Sequence, residues 1–332
     1  VIIELPDTTT SQIAKTLVKI REEGGAVALG RVLTLVISTD VGEEEEAIEA
    51  ANDASREHPM RVIVLSFDAT AGDTDAPARV DAQIRVGGDA GASEVIVVRS
   101  FGPAAGDQEG LVTGLLLPDA PVVVWWPGTP PDSAAETELG TIGQRRITDA
   151  ASDPNPLLAL DRLRSSYTPG DTDFSWTRLT LWRAQLAAAL DQPPFDPVTA
   201  IEVHGTADSP SSVLLAAWLQ LQLQVPVKLK THTGAHGSSG IGGVVLERAS
   251  GTLRLERYEA NMARLEQPGQ PVHDVSLPRR SLRDCLAEEL RRLDPDDLYG
   301  EVMMHGIEQL GILSEKAARK SAEAALNRAA SR

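Results

Sequence analysis

The chain has 332 residues, a formal net charge of −17 and a single cysteine. That acidity repels phosphate backbones and anionic lipid heads, so nucleic acid and membrane surfaces are set aside as partners. One thiol forms no intrachain disulfide and no apolar run reaches the length of a membrane span, so the expectation is a soluble protein of the cytoplasm.

Hydrophobic residues make up 42% of the chain, enough for two cores, while aromatics make up only 4%. The cores must therefore be aliphatic, and each of the five tryptophans needs a specific reason to be present.

Thr8, Thr9, Thr10 and Ser11 offer helix caps, and Ile13, Leu17 and Ile20 recur at helical spacing until Gly24-Gly25. Residues 27–38 form a β-rich run whose near-continuous apolarity suits a strand covered on both faces. An Ala/Glu-rich helix over 43–58 and a second buried strand over 61–67 complete a βαβ unit, which implies parallel pairing. Within that helix, Glu43 to Glu46 reads as a solvated face. Residues 79–86 and 94–99 read as a hairpin. A helix near 109–117 leads to a strand ending in Trp125-Trp126-Pro-Gly, then a charged helical segment over 136–146 and a helix over 157–165.

The turn-rich Tyr167-Thr-Pro-Gly-Asp-Thr-Asp173 marks a boundary. After an amphipathic helix over 176–190, the earlier order returns. A strand (200–204), a helix (213–224), a strand (226–231), a hairpin (243–257) and a helix (281–293) follow in turn. The expectation is two similar α/β domains in tandem, a pseudo-repeat, each with a mainly parallel or mixed sheet flanked by helices. Their bounds are 1–166 and 167–303, with a helical or flexible tail over 304–332. Cys285 lies at helical spacing between leucines and reads as a buried residue, not a nucleophile.

The chemistry of known sites is sparse. There is no Gly-Lys-Ser/Thr phosphate loop, no Gly-x-Ser-x-Gly elbow and no dinucleotide fingerprint after the first strand. That position holds Ser38-Thr-Asp-Val-Gly42, and the second half holds Gly205-Thr-Ala-Asp-Ser209; both read as ordinary capped turns. His232 and His236 are four apart, but intervening glycines oppose a helix and no further ligand completes a metal site. No catalytic residue, cofactor or metal is therefore assigned. The one polar cluster with ligand character is 228–243, where Lys228, Lys230 and His232 precede a glycine-rich loop ending at Gly243. It leaves open a sugar-phosphate enzyme or a metabolite sensor.

Several separated segments occur together in order. They are Trp125-Trp126-Pro-Gly, Arg178-Leu-Thr-Leu-Trp182, Pro210-Ser-Ser-Val-Leu-Leu-Ala-Ala-Trp218, Tyr258-Glu-Ala-Asn-Met-Ala-Arg264, Val275-Ser-Leu-Pro-Arg-Arg280 and Leu286-Ala-Glu-Glu-Leu290. In this combination the chain resembles the glucose-6-phosphate dehydrogenase assembly proteins, the OpcA type, over about its first 300 residues. The resemblance implies a non-catalytic partner that binds that dehydrogenase, promotes its assembly and raises its activity, in the oxidative pentose phosphate pathway and NADPH supply. It also implies redox control through a cysteine pair in cyanobacterial members, which a chain with Cys285 alone cannot form. Trp125, Trp126, Arg279 and Arg280 are the candidate interface residues, as aromatic and arginine anchors.

Overall fold

Leu33-Thr-Leu-Val-Ile37 and Arg61-Val-Ile-Val-Leu65 are too apolar for strands that face water. They lie side by side in parallel register at the centre of a covered sheet. The structure, a computed structural model, describes residues 1–23, 30–68, 77–87, 94–231 and 240–311. These residues cluster into two units, each gathered from separate stretches of sequence. The first contains Val1–Ser152, Gly170–Thr172 and Arg280–Pro295; the second contains Asp153–Pro169, Asp173–Arg279 and the described residues from Asp296 onward.

The chain opens with β1 (Ile2–Leu5), α1 (Thr10–Glu23), β2 (Leu33–Asp40), α2 (Glu44–Ala54) and β3 (Met60–Phe67). The hairpin β4 (Arg79–Val86) and β5 (Glu94–Phe101) follows, then α3 (Gln108–Thr113), β6 (Val122–Trp125), α4 (Glu138–Ile142) and β7 (Arg145–Thr148). After α5 (Pro156–Ser165), β8 (Asp171–Asp173) closes an eight-stranded sheet in the order β1-β4-β5-β3-β2-β6-β7-β8. From β5 to β7 neighbours run parallel, while β1, β4 and β5 pair antiparallel.

On one face of this sheet, Ile13 and Leu17 of α1, Val112 of α3 and Leu139 of α4 pack with Val36, Ile63, Ile96 and Val124. On the other, Ala47, Ile48 and Ala51 of α2 are buried as α2 packs on β2 and β3. Each fully buried Ile, Val or Leu contributes about 1.5–3 kcal/mol, which is why the central strands carry hardly a polar side chain.

The second unit adds α6 (Phe174–Thr177), α7 (Thr180–Leu190), β9 (Val198–Gly205), α8 (Pro210–Leu223) and β10 (Val227–Thr231). Next come β11 (Ile241–Arg248), β12 (Gly251–Arg257), β13 (Met262–Glu266) and β14 (His273–Ser276), then α9 (Leu282–Glu289), α10 (Asp297–Glu301) and α11 (Ile307–Leu310). Its sheet has six strands in the order β10-β9-β11-β12-β13-β14, with β10 parallel to β9 and every other pair antiparallel. α8 covers β9 and β10. The tryptophans of this unit have specific partners. Trp176 donates its indole N–H to Asp296 at 2.9 Å and leans on Tyr299, while the Arg183 guanidinium lies 3.8 Å from its ring centroid.

The fold is thus α/β, with two mixed sheets flanked by helices. The strand, helix, strand, hairpin order occurs in both units, but the hairpins join differently. β5 adds parallel to β3, the second strand of its unit, whereas β11 adds antiparallel to β9, the first strand of its own. α9 belongs to the first unit, where it packs on α2 through the pairs Arg283–Asp53 and Arg291–Glu57. The helix expected over 176–190 is broken into α6 and α7, because Asp173 caps a separate first turn and the Thr180 hydroxyl takes the Thr177 carbonyl. The tail beyond residue 311 lies outside the described residues.

Candidate partner-binding surface

In an open α/β sheet, ligands bind beyond the carboxyl ends of the parallel strands, where helix N-termini present free amides. Here that place is filled by the chain itself. β2 turns through Gly42, whose φ of +95° needs glycine, into α2. The first helical residue, Glu44, folds its side chain back under the helix. Its Oε2 accepts from the Gly42 amide at 2.9 Å, and its Oε1 accepts from Ser66 Oγ at 2.9 Å and Arg99 Nε at 3.0 Å. Burial alone would raise this carboxyl; hydrogen bonds from the backbone, Ser66 and Arg99 outweigh it and hold Glu44 below its ordinary value. The carboxylate is thus ionised, buried and satisfied where a phosphate would sit. The expectation of a solvated Glu43–Glu46 face is corrected at this residue: Glu44 is buried, and Glu45 pairs with Arg85 at 2.5 Å.

The second strand-to-helix turn is closed more simply. Ser209 accepts from the Ser212 amide at 3.1 Å, and a Cβ on Gly205 would fall 2.0 Å from Ser212 Oγ. Only glycine permits that approach.

Trp125 and Trp126, named as candidate interface residues, are both buried, at 0% and 7% exposure. Adjacent strand residues point to opposite faces, and this sheet is covered on both. Trp126 joins the cluster of Val124, Leu139 and Ala134. Neither indole offers an anchor on the surface of this chain. Arg280 is committed to the Glu288 carboxylate and the Asp284 carbonyl, whereas Arg279 is exposed. Cys285 is buried within α9.

The exposed face that does carry a pattern is the side of the second sheet not covered by α8. One row across the strands reads Lys228, Glu202, the buried Val245, Arg254, Glu266. The next reads Lys230, His204, Gly243, Glu256, Arg264, Asp274. Signs alternate, and neighbours pair: Lys230 lies 2.7 Å from Glu202 and Arg264 lies 3.1 Å from Asp274. The hydrogen bond from Lys230 is the main reason that Glu202 titrates below its ordinary value. At the turn into β13, the Arg264 guanidinium lies 5.0 Å from the centroid of Tyr258, a half-exposed ring. The residues of this face were not singled out from sequence. The signal was there in Leu253-Arg-Leu-Glu-Arg257, whose strict alternation belongs to a strand with one wet face.

Lys228 and Lys230 stand exposed on β10, while residues 232–239 of the proposed ligand cluster lie outside the described residues. Among the described residues, no group of three or more His, Cys, Asp or Glu side chains is placed to hold a metal ion. No helix among them is long and apolar enough to cross a membrane.

Comparison with known proteins bears on both units. Residues 51–165 match the family model described as the glucose-6-phosphate dehydrogenase subunit N-terminal domain, and residues 169–303 match its C-terminal domain. The OxPP cycle protein OpcA of Nostoc punctiforme is 25% identical over 267 residues, which cover 76% of this chain and 54% of that protein. The chain therefore spans about half the length of that relative. Among solved structures, an oxidoreductase from Sinorhizobium meliloti aligns with a TM-score of 0.49 at 11% identity, over 87% of this chain and 98% of that one. The 3-ketoreductase KijD10 of Actinomadura kijaniata aligns with a TM-score of 0.45 at 12% identity, over 84% and 96%. Structural likeness at that level says nothing of activity. The two family models follow one another in order along the chain, which belongs to the glucose-6-phosphate dehydrogenase assembly protein family of the OpcA type.

Proposed function

We propose that this chain is a non-catalytic assembly factor and activator of glucose-6-phosphate dehydrogenase. It would act in the cytoplasm, serving the oxidative pentose phosphate pathway and NADPH supply. The tandem family match carries this reading. The site geometry agrees with it: Glu44 places a fixed negative charge at the N-terminus of α2, where an anion would otherwise be favoured.

The dehydrogenase would dock on the exposed face of the second sheet. This face lies within the C-terminal family match, is held rigidly by six strands, and offers paired charges of both signs beside the Tyr258–Arg264 stack. Alternating charge of this kind fixes register and excludes wrong partners more than it adds affinity. Arg279, exposed in the segment between β14 and α9, is a further interface candidate.

The test is co-purification with the dehydrogenase, together with its kinetics and oligomeric state with and without this chain. Binding with a change in kinetic parameters or assembly supports the proposal. If a saturating amount neither binds nor alters either property, the proposal fails.

A further inference from the structure

At the amino-terminal ends of the parallel strands, opposite to Glu44, the first unit gathers positive charge. Glu94 opens β5 and is buried. Arg61, the second residue of β3, donates Nε to its carboxylate at 2.7 Å, with Nη2 at 2.6 Å, and gives Nη1 to the Leu115 carbonyl at 2.6 Å. Arg31, just ahead of β2, and Arg21, in the last turn of α1, each approach the same carboxylate at 3.5 Å. Three guanidiniums thus share one carboxylate, an excess of two positive charges in a chain whose net charge is −17.

Accessibility is graded across the cluster. The Arg61 side chain is 5% exposed and forms the floor, Arg31 is 17% exposed, and Arg21 at 47% stands at the mouth. Arg31 Nε is buried with no hydrogen-bond acceptor among the described residues. Burial depresses Arg61, Glu94 counters it, and the neighbouring charges of Arg21 and Arg31 depress it further.

We propose that Arg21 and Arg31, over the Arg61–Glu94 floor, bind a doubly charged tetrahedral oxyanion of the phosphate class. A dianion neutralises the excess of two charges, and its oxygens accept from the forked donors that Glu94 leaves underused. A carboxylate from a partner would leave one charge uncompensated. This inference stands apart from dehydrogenase binding and is tested on the chain alone.

Calorimetric titration of the full chain with inorganic phosphate, and separately with glycerol phosphate, at constant ionic strength set by chloride, decides it. Saturable binding of either probe is expected, and the stronger of the two tells free phosphate from a monoester. Arg31→Gln should weaken binding at least tenfold, Arg31→Lys should restore part of it, and Arg21→Gln with Arg31→Gln should abolish it. Arg264→Gln, on the other sheet, should change nothing. Circular dichroism melts establish that the variants remain folded; Arg31 and Arg21 are the exposed members, so their loss leaves the Arg61–Glu94 pair in place. No saturation up to about 10 mM of either probe overturns the proposal. Equal binding by wild type and the double variant overturns it as well.

Discussion

The two sheets of this protein solve the same burial problem in different ways. In the first, β2, β3, β5 and β6 are buried along nearly their whole length, because parallel strands joined by helices are covered on both faces. Polar groups there are few, and Glu44 and Arg61 are both tied to partners within the unit. In the second, antiparallel strands such as β12 alternate Leu253, Leu255 inward with Arg254, Glu256 outward, and the outer face stays wet. A charge in the first sheet is therefore a structural commitment, whereas a charge in the second is available to a partner.

The sharpest test of that contrast is stability. Arg61→Met removes the nearest cation from the buried Glu94, leaving only Arg21 and Arg31 at 3.5 Å, and should cost about 3 kcal/mol in urea unfolding. Arg264→Ala, which breaks an exposed pair, should cost no more than about 1 kcal/mol. Equal losses would show that the contrast is wrong.

Glu44→Gln is the next largest change. It removes charge-assisted hydrogen bonds to Ser66, Arg99 and the Gly42 amide, for an expected loss of about 1.5–3 kcal/mol at neutral pH. Because the folded carboxyl titrates below its ordinary value of 4.5, its stabilisation is complete above that value. It is lost as pH falls through the lower folded value. The gap between wild type and variant should therefore narrow below pH 4.5; a gap independent of pH would mean that the charge of Glu44 does not matter.

On the open sheet, Arg254→Glu combined with Arg264→Glu should weaken dehydrogenase binding about tenfold, or about 1.4 kcal/mol, while leaving the melting temperature nearly unchanged. The defect should shrink with added salt, as screening shortens the reach of exposed charges. A defect in folding without one in binding would place the docking surface elsewhere. The smallest effect concerns Cys285, buried in α9: oxidant or reductant should leave dehydrogenase activation unchanged, and a difference abolished by Cys285→Ser would contradict this.

Much of the fold was legible because it is written in local pattern. The apolar runs around Val36 and Ile63 require cover, and the alternation at Leu253–Arg257 requires one wet face. Long-range choices were not legible. Nothing near Ser281 announces that α9 packs on α2, since the Arg283–Asp53 contact spans 230 residues. β13 and β14 escaped notice because they are short and half-polar. Adjacency on a strand sends the two tryptophan side chains to opposite faces, and only long-range packing on either side decides that both are covered. Glu44 was hidden inside a run of four carboxylates, where sequence gives no sign of which one turns inward to meet Ser66.

The central claim is that this chain acts on a dehydrogenase and not on a substrate. Sedimentation velocity of glucose-6-phosphate dehydrogenase mixed with this chain, read alongside NADPH production by the same samples, tests it most directly. The expected result is a complex of both proteins with altered dehydrogenase kinetics, and no NADPH production by this chain alone. Turnover by the isolated chain, or two proteins that sediment independently with unchanged kinetics, would contradict it.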